Sequence, residues 1–129
     1  MAITQALCNS FKQELLQGLH DLDGHTLKMA LFTSSATLGA TTTAYSTTNE
    51  SSGTGYTAGG ATLANVAVSL SGTTAFVDFD NVSFTSATIS DAAGALIYNS
   101  SASDKAIAVV DFGSTKSVSS GTLTITLPT

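Results

Sequence analysis

Four residues able to bind a metal or move a proton fall within six positions: His20, Asp21, Asp23 and His25, in "HDLDGH". Imidazole and carboxylate are zinc ligands, but this spacing matches no recognised zinc pattern. The segment reads instead as the end of a helix, with His20 near the last carbonyls and Gly24 as the stop. A second acidic group, Asp78, Asp80 and Asn81 in "VDFDN", places two carboxylates two residues apart on an expected strand. They would share a face and could offer oxygen ligands to Ca²⁺. The Gly and Glu of an EF-hand loop are missing, so a solvated strand face running into a turn is the reading adopted.

Gly53, Gly55 and Ala58 in "SSGTGYTAGGATL" fit the phosphate-binding spacing G-x-G-x-x-G/A. That fingerprint works only between a strand and a helix, whose N-terminus holds the pyrophosphate. Here "TTNE" precedes it and the strand-like "ATLANVAVSL" follows, and no P-loop lysine is present. The glycines are therefore read as supplying positive φ and close backbone approach in tight turns around Tyr56. Serines abound, but there is no G-x-S-x-G elbow, and both histidines lie near one helix end. Cys8 sits beside an apolar stripe, where a thiol is inert. No catalytic, cofactor-binding or metal-ligating residue is assigned, and the chain is read as a non-enzyme.

Composition narrows the partners. Only 10% of the 129 residues are charged, the net charge is −5, and there are four Lys and no Arg. Nucleic acids and anionic membranes both require a basic footprint, so neither is expected as a partner. Ser and Thr supply about three residues in ten, which leaves a surface of neutral hydroxyls that repels a close neighbour little. The start "MAITQALCNSFKQ" lacks the basic n-region and apolar core of a signal peptide. Folding in a cytoplasm, without export by the general route, is the expectation.

Positioning these residues takes one helix and several strands. Ile3, Leu7, Phe11, Leu15 and Leu19 recur every four residues, predicting an amphipathic helix over about 4–22, with Thr4 as its cap. "HTLKMALFT" alternates, with Leu27, Met29 and Leu31 on one face and Lys28 and Ala30 on the other. A long polar loop over about 34–60 follows, longer than the ~12–15 residues usual for a loop without a function. Then come "ATLANVAVSL", "TAFVDFD", "VSFTSATIS", "ALIYN", "AIAVVDF" and "TLTITL", separated by "SGT", "DN", "DAAG", "NSSASD" and "GSTKSVSSG". Pro128 follows the last strand. The expected fold is mainly β: one domain over 1–129, an antiparallel jelly-roll-like β-sandwich with one N-terminal amphipathic α-helix.

The runs "SFKQELLQGLHDL", "KMALFTSSATLGATTTAYSTTNESSGTGYTAGGATL", "ALIYN" and "AVVDFG" together cover nearly the whole chain. In combination they resemble small virion structural proteins of tailed bacteriophages. The resemblance implies a non-enzymatic particle component in the virion. On it rests the expectation of a capsid decoration (cement) protein that forms a small symmetric oligomer, such as a trimer. Its partners would be its own copies and the major capsid protein or another virion protein. A tail, neck or fibre-associated subunit is the alternative. A surface carbohydrate-binding module, with Tyr45, Tyr56 and Tyr98 stacking on sugar rings, is a further one. Tyr provides large contact area at low conformational entropy cost. The partner-binding residues are therefore taken to be Tyr45 and Tyr56, with Gly55, Gly59 and a polar contact from Glu50.

Overall fold

A computed structural model describes residues 3–125. Pro128 and the last residues of "TLTITL" lie outside the described residues. The chain is mainly β, 53% strand and 9% helical, with antiparallel sheets and one helix. In order, the elements are β1 (Ala6–Leu7), α1 (Asn9–Leu16), β2 (Leu27–Phe32), β3 (Gly53–Thr54), β4 (Ala61–Thr62), β5 (Ala67–Ser71), β6 (Thr74–Asp78), β7 (Val82–Asn99) and β8 (Lys105–Ile125). The main sheet runs β1-β8-β7-β2-β4, with β3 on β7, and β5 and β6 form a separate hairpin.

Four of the expected strands are two. β7 and β8 pair antiparallel from Val82–Ile125 to Asn99–Lys105. The segments "DAAG" and "GSTKSVSSG", expected as turns, lie inside these strands and carry register shifts. Phe112–Thr115 of β8 face Ala93 alone, between the Gly94–Asp111 and Ala92–Lys116 pairs. Gly113 (φ 81°) falls within that bulge. The turn-forming residues here kink and twist the chain without reversing it.

The helix is shorter than its periodicity suggests. Upstream, Ala6 and Leu7 pair with Val109 and Ala108 of β8, and the Thr4 amide donates to Leu38 O, so these residues are extended. Downstream, Gly18 (φ 75°) ends the helix and Gly24 does not. The Gly18 amide donates to Leu15 O at 3.2 Å and the Leu19 amide to Glu14 O at 3.0 Å. That is the double closure of a Schellman motif. Phe11 is buried, whereas Leu15 and Leu19 of the expected stripe are exposed, as is the neighbouring Leu16.

The centre of the sheet is covered on both faces. Directly opposed residues share a face. Met29, Ile97 and Ala108 therefore lie on one side, and Ala30, Leu96 and Val109 on the other. All but the half-buried Ala108 are buried. The expected half-buried β2 is corrected accordingly, since Ala30 and Phe32 are as inaccessible as Leu27, Met29 and Leu31. The cause is the 34–60 segment, which folds over the second face. It buries Ala36 and stacks Tyr45 on Tyr98, with ring centroids 4.5 Å apart. On the first face, Phe11 of α1 and the β5–β6 hairpin flank Ile97 and Ile107.

Candidate functional site

Most of the residues singled out in the polar loop converge on one carboxylate. Glu50 Oε1 accepts from the Tyr45 hydroxyl at 2.6 Å. Its Oε2 accepts from the Tyr56 hydroxyl at 2.5 Å and from the Gly59 amide at 2.7 Å. The Tyr56 oxygen in turn accepts from the Leu31 amide of β2 at 2.9 Å. The Tyr98 hydroxyl donates to Gly59 O at 2.5 Å. Three tyrosines and one glutamate thus clamp the loop onto the sheet.

Local sequence makes this possible. Gly60 (φ 83°) passes so close to β2 that an added Cβ would lie 1.9 Å from Met29 O. Gly53 (φ 148°) runs as close to Thr88 O of β7, at 2.0 Å. No side chain fits at either position. Between them Tyr56 packs on Phe84, with centroids 5.4 Å apart, and is only 9% exposed. Gly59 is buried as well, and Gly55 is exposed with φ 81°. Phe32 opposite Glu50 and the Thr33 amide to Asn49 O carry the loop along the free edge of β2. Asp91, from the expected "DAAG" turn, accepts from the Ser34 amide and hydroxyl and anchors the start of the loop.

The electrostatics match a structural role. Burial first, then the hydrogen bond to Glu50, raise both Tyr45 and Tyr56 above the ordinary phenol value. Tyr98 is pushed up to about 12 by burial and by the charges of Asp104 and Glu50. All three stay protonated donors at neutral pH. Glu50 accepts three hydrogen bonds, so its oxygens are committed within the chain. The rings proposed to stack on sugars are engaged too, two on each other and one on Phe84.

The histidine segment forms a second internal cluster, not the end of the helix expected from it. The Asn99 side-chain amide reaches His20 Nδ1 at 3.0 Å and His25 Nδ1 at 2.9 Å. Both Nδ1 atoms therefore accept, which places the ring protons on Nε2, a tautomer assigned from the network. His20 Nε2–H then donates to Glu14 at 2.9 Å, and its ring packs edge-on against Phe11. Asn99 Oδ1 accepts from the Ser101 amide, and the cluster sits at the β7–β8 turn. Glu14–His20 resembles half of a catalytic triad, but the nearby serine hydroxyls bond the Thr26 backbone. Sequence reasoning missed Asn99, whose place at the head of "NSSASD" marks it as a turn residue.

Asp78 and Asp80 do not share a strand face, because β6 ends at Asp78. Asp78 Oδ1 accepts from the Phe79 amide, and Asp80 Oδ2 from Asn65 Nδ2 at 2.6 Å. Among the described residues no group of three or more His, Cys, Asp or Glu is placed to hold a metal ion. Cys8 is fully buried, and burial, then the nearby charge of Glu14, raise its thiol above the ordinary value. Comparison with protein-family models, curated proteins and solved structures returns no match.

Proposed function

We propose that the chain is a non-enzymatic structural protein of a tailed-phage virion, acting as a capsid decoration subunit that binds and stabilises the shell. The observation that carries this reading is the Tyr45–Glu50–Tyr56 clamp. Side chains that an enzyme or a sugar-binding module would turn outward are used here to fix a 27-residue excursion (34–60) to a rigid sheet. Such a scaffold keeps its shape while its sparsely charged surface packs against repeated neighbours. The resemblance of the sequence to small virion proteins points the same way. In the finer fold reading, the β5–β6 hairpin is a partial second layer over the main sheet, making an open β-sandwich.

Quantitative mass spectrometry of purified virions tests the proposal. A decoration protein is present in hundreds of copies, whereas a tail or neck ring is present in about six or twelve by cyclic symmetry. Absence from the particle overturns the reading.

A further inference from the structure

We propose that the β5–β6 hairpin and the apolar cleft beside it form a self-association surface, the cleft of one copy receiving the hairpin of a second copy of this chain. The inference specifies how the proposed structural subunit meets its own kind, and rests on that reading only for the purpose of the assembly. The cleft, about 430 Å³, opens between the hairpin and the body. Phe11, Leu15, Ile97 and Ile107 line it on the body side, and Val68 and Val77 on the hairpin side. Val68 and Val77 are directly opposed, so they share the hairpin face turned to the cleft. Leu70, two residues on, continues that face toward the tip and is 71% exposed.

Three observations select a second copy as the occupant. The first is charge. Each copy carries −5, so two copies repel least where they meet through a surface without unpaired carboxylates. Residues 64–77 contain no charged side chain, and neither does the cleft lining. The second is the hairpin's own edges. Among the described residues its outer N–H and C=O groups have no sheet neighbour, and natural edges are blunted by charged side chains such as Lys, by Pro or by bulges. β5 and β6 carry no Lys, Pro or bulge within their paired span, and their one charge, Asp78, sits at the base of the hairpin opposite Ala67. The third is area. Leu7, Leu15, Val68, Leu70 and Phe76 are all 41–71% exposed. They leave on the order of 500 Å² of apolar side chain, toward the top of the ~300–600 Å² range for a monomer's largest patch. Four of these five, Leu7, Leu15, Val68 and Phe76, also line the cleft, so arm and cleft share one apolar face. One chain carries both an apolar arm and an apolar cleft, so a reciprocal exchange about a two-fold axis covers both at once.

Sedimentation equilibrium on the full chain, from about 1 to 200 µM, tests this. The wild type is expected to self-associate. Leu70→Glu puts a carboxylate on an already exposed position and should weaken association at least ~100-fold, with unchanged circular dichroism. Leu16→Glu, at the 91% exposed position outside the cleft lining, should associate as the wild type does. In the wild type, hydrogen exchange at residues 67–78 should slow as concentration rises. That readout holds even if the variant folds poorly. A wild type that stays monomeric, a Leu70→Glu protein that associates normally, or hairpin exchange indifferent to concentration overturns the inference. Failure here with the protein abundant in virions removes only this surface. Leu70-dependent association of a protein absent from virions removes only the virion reading.

Discussion

Glu50 is the residue on which the long loop turns, and its partners differ in how much they should matter. Tyr56→Phe keeps the ring on Phe84 but deletes both the donor to Glu50 and the acceptor for the Leu31 amide. A buried group left unpaired costs about 1–3 kcal/mol. Urea denaturation should show a loss in that range for Tyr56→Phe. The loss should be smaller for Tyr45→Phe, whose hydroxyl has one partner and whose residue is only half-buried. Equal effects would mean that the clamp does not run through Tyr56. The same phenols set an alkaline limit. A group that holds its proton more tightly when folded adds stability below its unfolded value, near 10 for Tyr, and loses that stability as pH rises through its folded value. Tyr98 is pushed up to about 12, and Tyr45 and Tyr56 are raised as well. Native protein should therefore show little tyrosinate absorbance at pH 10–11, where urea-unfolded protein is about half to nine-tenths ionised, and stability should decline from about pH 10 upward. Native tyrosines that titrate with the unfolded ones would contradict the buried network.

At the scale of elements, two glycines separate conformational from steric demand. Gly18 ends α1 with φ 75° and has open space where a Cβ would go. Gly18→Ala should cost only the left-handed backbone penalty, about 1 kcal/mol. Gly60→Ala adds a clash with Met29 O and must push the loop off β2, so it should cost roughly 3 kcal/mol or more. It should also expose the amides around Glu50 to hydrogen exchange. Similar losses at both sites would show that the loop is not held against the strand. These elements were unevenly legible. Tyr45, Glu50 and Tyr56 stood out because they are the only aromatic or charged residues in a bland Ser/Thr/Gly run, and that contrast marked the residues that do the anchoring. Their direction was not readable, since a tyrosine offered to a partner and one folded inward share the same local sequence. Gly113 and the serines near it were read as a turn because a bulge and a turn use the same positive-φ residues. Only the cross-strand partners, far away in sequence, decide between the two.

Across the whole molecule charge is scarce, which made the burial of β2 hard to read and would leave contact between copies to apolar surface. Half-buried strands are usually recognised by polar residues on the wet face, and β2 shows only Lys28 there. The sheet is instead closed on one side by a polar-looking loop that is tied down from within, the Ser51 hydroxyl donating to Asp91 O and the Gly59 amide to Glu50. What is left outside and apolar gathers at the hairpin, α1 and β1. An interface made there contains no ion pairs, while the copies it joins are each at −5. Added salt screens that repulsion over a Debye length of about 8–10 Å near physiological strength and takes no attraction away. Self-association measured by sedimentation should therefore hold or tighten between roughly 50 and 500 mM NaCl, and tighten further in sulfate, which strengthens apolar burial. An interface built on Lys12, Lys28, Lys105 or Lys116 meeting carboxylates would weaken over the same range. The sign of the salt response thus separates contact through the uncharged hairpin from contact through the few charges this chain carries.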